Sequence, residues 1–245
     1  MGNNYFGKTD IGLRRATNQD YFVIKNLDDG LVLMTVCDGM GGANGGSEAS
    51  MLAALTFAEY TEKHLDVNNK NEYLYVLECA LELANKTVCD KAGSSKELEG
   101  MGTTLVGALY DGESYYCIWV GDSRIYAMTE SGLCQISHDH SFVQTLVDSG
   151  SISKEEAKSH PNRNIITKAV GIEEAVVPDV CKLSSERIEG MMLCTDGLCG
   201  YVNESEIEQV LKAEISAEKC CKELVKAAND AGGPDNITVV VHKIQ

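Results

Sequence analysis

Residues 31–42 read LVLMTVCDGMGG: an apolar run from Leu31 to Cys37 broken only by Thr35, then Asp38-Gly39, then a glycine-rich bend. A run without polar alternation predicts a strand buried on both faces. Before it, Asp28-Asp29-Gly30 is a hairpin-type turn signal. After the bend, residues 47 to 64 carry Ala49, Leu52, Ala53, Phe57 and Tyr60 at helical spacing, one apolar stripe. A second helix is predicted over 72–91, with Tyr73, Val76, Leu77, Ala80, Ala84 and Val88 on one face.

Further along, 103–110, 114–120, 124–128 and 133–136 read as strands. The links Asp111-Gly112, Gly121-Asp122-Ser123 and Glu130-Ser131-Gly132 are too short for the crossovers that parallel strands need, so antiparallel neighbours are expected. A short helix over 141–149 stops at Gly150, and Ser153 with Glu156 fits a capping box for another. Strands over 176–183 and 191–195, helices over 204–213 and 217–231, and a last strand over 237–241 complete the pattern; Gly232-Gly233-Pro234 ends the final helix. Strand runs wrapped by amphipathic helices place the chain in the α+β class, antiparallel sheets packed together with helices outside. No repeat, low-complexity tract or linker divides it, so 1–245 reads as one domain, with 91–100 and 151–164 as its mobile segments.

Charge narrows the function. Twenty-one Lys and Arg against 37 Asp and Glu give a net charge of −16, which argues against nucleic acid and anionic lipid as partners. Met1 to Asp10 has no basic stretch followed by an apolar one, and no apolar run approaches the ~18–20 residues that cross a bilayer. The expected place is therefore the cytoplasm, away from membranes. The 10 cysteines include no C-x-x-C pair, so they read as buried, reduced thiols; Cys220 and Cys221 are expected to pack rather than react.

The informative residues are aspartates at strand ends. The apolar runs before Asp38-Gly39, Asp122 and Asp196-Gly197 each finish on an acid, and Asp235-Asn236 opens the last strand. Asp and Gly punctuate strands as turn residues, so any one of these carries little. Four together, beside such apolar flanks, are costly to desolvate unless paired, and only Arg124 is a nearby cation. A hard divalent cation satisfies several carboxylates at once, and an all-oxygen set favours Mg2+ or Mn2+ over zinc. Glycine after the acid lets a backbone carbonyl approach such an ion.

Seven pieces occur in one order: Arg15-x-x-Asn18-Gln19-Asp20, Asp38-Gly39-Met40-Gly41-Gly42, Gly102-Thr103-Thr104, Val120-Gly121-Asp122-Ser123-Arg124, Asp139-His140-Ser141, Thr195-Asp196-Gly197-Leu198 and Gly233-Pro234-Asp235-Asn236-Ile237-Thr238. Together they resemble the PPM family of metal-dependent protein serine/threonine phosphatases (protein phosphatase 2C-like), in its compact bacterial form, over about residues 5 to 241. The resemblance implies a four-layer α-β-β-α sandwich, two central antiparallel sheets flanked by helix pairs, with two or three Mn2+ or Mg2+ ions at one edge. It implies hydrolysis of phosphoserine and phosphothreonine in proteins, the substrates of a Ser/Thr kinase, by a chain taken by default as a monomer.

Carried over by motif, Asp38 would bridge two metals, with the Gly39 carbonyl on one and Asp196 and Asp235 completing the other. Asp20 would act through water, and Asp122 would join Asp196 at a third metal. Arg15 would grip the phosphate, where a guanidinium fork suits two oxygens. Arg124, beside Asp122, reads as a structural salt-bridge partner. Met40 stands where many eukaryotic relatives carry a histidine that could act as acid, and it cannot donate a proton. Gln19 stands where some relatives have an acidic ligand.

Other features are set aside. Gly39-x-Gly41-Gly42-x-x-Gly45-Gly46 lacks nucleotide-loop spacing, and His138-Asp139-His140 reads as a capped turn rather than a metal site. No G-x-S-x-G elbow is present. Residues 151–168 hold Lys154, Lys158, His160, Arg163 and Lys168 in an acidic chain, and the resemblance implies a flap there beside the metal edge. A catalytically silent relative that binds phosphoproteins is the alternative; it should have lost Asp38, Asp196 or Asp235, and all three are present.

Overall fold

The computed structural model describes residues 4–41 and 45–244, so Gly42 of the glycine-rich bend lies outside the described residues. The strands are β1 (Tyr5–Asp10), β2 (Asp20–Asn26), β3 (Val32–Met40), β4 (Gly102–Thr103), β5 (Leu105–Tyr110), β6 (Ser114–Val120), β7 (Arg124–Thr129), β8 (Gly132–Gln135), β9 (Asp179–Ser184), β10 (Ile188–Cys194) and β11 (Ile237–Lys243). The α-helices are α1 (Gly45–His64), α2 (Tyr73–Ala92), α3 (Phe142–Asp148), α4 (Lys154–Lys158), α5 (Asp196–Cys199), α6 (Glu204–Lys212) and α7 (Ala217–Asp230).

The strands form two sheets, ordered β1-β11-β10-β7-β8 and β2-β3-β5-β6-β9, with β4 paired to β3; every pairing is antiparallel. The unalternating run at 31–37 now has its cause. Leu33 and Cys37 face the core shared with α1 and α2, whereas Val32, Met34 and Val36 face the core between the sheets. A third core packs α6 and α7 on the other sheet through Ile207, Leu211, Leu224 and Val225. The layers are therefore helix, sheet, sheet, helix, as the α-β-β-α expectation requires.

Three expectations need correction. The link Gly121-Asp122-Ser123 does not join neighbours: β6 pairs β5 and β9, and β7 lies in the other sheet beside β10 and β8. Gly121, at φ +105°, turns the chain from one sheet to the other, and a Cβ there would sit 2.5 Å from Thr104. The strand expected from 176 starts at Asp179, since Pro178 has no N–H to give a ladder. The thiols are all free but only half are buried; Cys79, Cys89, Cys181 and Cys199 are partly exposed and Cys134 is exposed.

His242 sits in the inter-sheet region of β11, with its Nδ1 2.6 Å from the Tyr115 hydroxyl and the Tyr5 and Tyr110 rings around it. Burial pushes its pKa down from 6.5 to about 4. The unfolded chain binds that proton first, so the stability contributed by neutral His242 is present above pH 6.5 and lost as pH falls toward 4. The full loss is on the order of 3 kcal/mol. Urea unfolding at pH 7 and pH 4.5 checks it: His242→Gln, whose amide oxygen can still accept from Tyr115, is expected to lose less stability on acidification than the wild type.

Candidate metal centre

The two sheets bring their strand ends together at one edge of the sandwich. Asp38, near the end of β3, faces Asp20, the first residue of β2, across the ladder. β10 runs out through Thr195 into α5, whose first residue is Asp196, and Asp235 precedes β11 in the neighbouring position of the same sheet. Asp122 lies in the link that changes sheets.

These carboxylates are crowded, with Asp20 buried and Asp38, Asp122, Asp196 and Asp235 partly buried. Asp38 lies within the field of Asp20, Asp196, Asp122 and Asp235, each of which disfavours its charged form. Desolvation first, then the neighbouring carboxylates, pushes Asp20 up to about 7 and Asp122 up to about 8. The same causes lift Asp38 well above the carboxylate range and raise Asp196. One oxygen of Asp20 and one of Asp196, Oδ1 in each, are buried with no hydrogen-bond partner. Arg15 is half exposed and reaches in to Asp235, Nη2 to Oδ2 at 2.7 Å.

Polar neighbours hold the cluster in place. Thr195 Oγ1 donates to Asp20 Oδ2 at 2.9 Å and accepts from the Thr238 amide at 3.0 Å. Thr104 Oγ1 accepts from the Asp38 amide at 2.9 Å and meets Ser123 Oγ at 2.7 Å, while Thr103 donates to the Asp38 carbonyl. The Asn236 side chain accepts from the Gln19 amide and donates to the Ile11 and Thr17 carbonyls, each near 3 Å, stapling the Arg15 loop to the start of β11. Thr104, Thr195 and Asn236 stood inside the motifs without a role; hydroxyl and amide residues flanking buried acids were the signal available. Gly39 is forced by contact: a Cβ would lie 2.0 Å from the Gly46 carbonyl oxygen and 2.6 Å from that of Gln19.

Other expectations resolve as follows. Arg124 is indeed a structural ion pair, but with Asp139 rather than Asp122: Nε and Nη2 fork onto both oxygens at 2.7–3.0 Å. His138 pairs with Asp148, and His140 Nδ1 accepts from the Gly121 amide, so the two rings serve different turns and not one ion. The chain has one Cys-x5-Arg spacing, Cys181 to Arg187. Cys181 lies mid-strand in β9 and Arg187 in a 3-10 turn, so no loop of amides wraps a phosphate there and a thiol-phosphate mechanism has no cradle. Residues 151–168 border a cavity of about 310 Å3 in which Lys154, Lys158 and Arg163 share the lining with Asp122 and Asp196. Arg163 is tied to the body through the Tyr201 hydroxyl at 3.1 Å and lies over the Tyr201 ring.

Among the described residues no three acidic, thiol or imidazole groups already close round one point as a finished cage. The donor set nevertheless fits hard cations: oxygen donors only, two of them buried and unpartnered, in a cluster whose mutual repulsion a positive ion would relieve.

The sequence profile of the family described as Protein phosphatase 2C matches residues 13–233. The serine/threonine phosphatase stp of Listeria welshimeri is 35% identical over 234 residues, 96% of this chain and 93% of that protein. The crystal structure of the serine/threonine phosphatase Stp1 from Staphylococcus aureus superposes with a TM-score of 0.94 at 33% identity, covering 100% of this chain and 96% of that one. The catalytic domain of the serine threonine protein phosphatase PstP, crystallised in complex with 2 manganese ions, superposes at 0.86 with 32% identity, covering 98% and 96%.

Proposed function

This chain belongs to the protein phosphatase 2C family and is a protein serine/threonine phosphatase dependent on Mn2+ or Mg2+, and from that premise we propose that the acidic edge around Asp38 is its catalytic centre. The observation that carries the assignment is the pair of buried, unpartnered oxygens on Asp20 and Asp196 within a cluster of desolvated carboxylates. Asp38 would bridge two ions, with the Gly39 carbonyl on one and Asp196 and Asp235 on the other; Asp20 would act through water, and Asp122 with Asp196 would take a third. Bound there, the cations offset phosphate charge and make a water nucleophilic at neutral pH.

The chain's own residues do the rest. Arg15, half exposed and held by a single ion pair to Asp235, can turn its guanidinium to two phosphate oxygens. Thr195 and Thr104 fix Asp20 and the Asp38 backbone, so the acids need not reorganise. Met40 cannot supply a proton to the leaving alkoxide. All of Asp38, Asp196, Asp235 and Arg15 are present, and nothing favours a silent binding module. The direct test is phosphate release from a phosphothreonine peptide after chelator treatment, without and with added Mn2+; release in the absence of any divalent ion would overturn the assignment.

Arg15→Ala is expected to raise KM for phosphopeptide about tenfold or more with a smaller change in kcat, because it removes a phosphate contact present before and during reaction. Steady-state kinetics that match the wild type would remove Arg15 from the site.

Lys154, Lys158 and Arg163 share a cavity with Asp122 and Asp196, which supports a flap that shapes access for phosphoproteins. Deleting 152–163 is expected to lower kcat/KM on a phosphopeptide more than on a small aryl phosphate; equal activity on both would count against the flap. As part of the same reading, the chain works as one domain and one protomer in the cytoplasm on proteins phosphorylated by a Ser/Thr kinase. No helix among the described residues is long and apolar enough to cross a membrane.

A further inference from the structure

Cys117 and Cys181 stand opposite each other in the antiparallel β6–β9 ladder. Directly opposed residues in such a ladder have Cα atoms ~4.5–5.5 Å apart, within the ~4.4–6.8 Å that a disulfide spans. Both side chains belong to the core between the sheets, so they share a face. β9 is the outermost strand of its sheet, which leaves Cys181 partly exposed while Cys117 is fully buried. Of the two, Cys181 is the thiol an oxidant can reach from solvent, and Cys117 can meet it only from inside the core. A partly exposed thiol directly opposite a buried one, within the span of a disulfide, is the arrangement of a redox site.

We propose that Cys117 and Cys181 are a reversible oxidation site, converted to a disulfide by hydrogen peroxide or an alkyl hydroperoxide. Cys181 loses its proton, and its sulfur attacks one peroxide oxygen; the O–O bond breaks, and the leaving oxygen takes a proton to become water or an alcohol. The resulting sulfenic acid is then attacked by the Cys117 sulfur as that thiol gives up its proton. The S–S bond forms, the S–O bond breaks, and hydroxide leaves with a proton as water. Two thiols are oxidised by two electrons in total, and one peroxide is reduced.

The other thiols supply internal comparisons. Cys194 and Cys199 lie five residues apart, but Cys194 is fully buried and the Cys199 thiol is turned to the Thr195 carbonyl at 3.6 Å. Cys134 is exposed but alone.

The experiment treats the full-length protein with hydrogen peroxide, quenches it, and titrates thiols after unfolding in denaturant. The expected count falls from 10 to 8 and returns to 10 with dithiothreitol. Mass mapping without reduction should find the peptides of Cys117 and Cys181 joined, with the mass lowered by two hydrogens. Cys117→Ser should stop the link and leave Cys181 as a sulfenic acid that dimedone traps; Cys181→Ser should leave Cys117 unoxidised. Wild-type mapping alone decides the matter if either variant folds poorly. A link between Cys194 and Cys199 instead, oxidation confined to Cys134, or no loss of thiols while peroxide is consumed elsewhere would each overturn the proposal.

Discussion

Asp38→Asn is expected to lower turnover of a phosphothreonine peptide by on the order of a thousandfold or more, while the protein still folds. Asn has nearly the shape of Asp and keeps an oxygen, so the Asp38 backbone bonds to Thr103 and Thr104 survive. What disappears is a negative charge at the position proposed to join two cations. Loss of several kcal/mol of charge stabilisation at the reacting phosphate corresponds to that drop in rate. The metal-free fold should not suffer, because Asp38 is raised by desolvation and by Asp20, Asp196, Asp122 and Asp235. Removing its charge relieves that repulsion. Thermal melting gives a readout independent of activity. Mn2+ should raise the Tm of chelator-treated wild type by binding the folded state, and raise that of the variant much less. A folded Asp38→Asn protein that keeps Mn2+-dependent turnover within tenfold of wild type would sink the bridging assignment.

The ends of β3, β6 and β10 were legible because apolar runs stopping on an acid are unusual, and the structure places those acids at one edge. The helices were legible because their apolar positions recur at helical spacing, as at Tyr73, Val76, Leu77 and Ala80. What escaped was set by partners far along the chain. β1, YFGKTD, is half polar and short; its strand character comes from pairing with β11 across more than two hundred residues. The sheet change at Gly121 has the same residues as a hairpin turn, and only the partners of β6 and β7 tell the two apart. Arg124 looked toward its sequence neighbour Asp122, yet a guanidinium fork needs both oxygens of one acid, and Asp139 offers them. Sequence proximity names candidates for a pair; the choice among them is three-dimensional.

Gly197→Ala is the harder test of how the site is built, because Gly197 itself supplies no proposed ligand. A Cβ at Gly197 would lie 1.8 Å from the Asn236 carbonyl oxygen, a backbone atom that cannot rotate away. Asn236 is the staple: its side chain holds the Gln19 amide and the Ile11 and Thr17 carbonyls, and it follows Asp235, the partner of Arg15. Relieving the overlap must therefore displace Asp235, the Arg15 loop and the start of β2 together. Overpacking of this kind costs about 1–3 kcal/mol, and a shift of about 1 Å at a reacting centre costs roughly a hundredfold in rate. The expected result is a kcat/KM lowered about a hundredfold on phosphopeptide, with a smaller fall in Tm than full unfolding of the edge would give. Gly112→Ala is the control, since it has positive φ but open space around it, and should lose about 1 kcal/mol of stability with full activity. If Gly197→Ala is as active as Gly112→Ala, then contact between α5 and the start of β11 does not position the acids, and each must be held by its own strand alone.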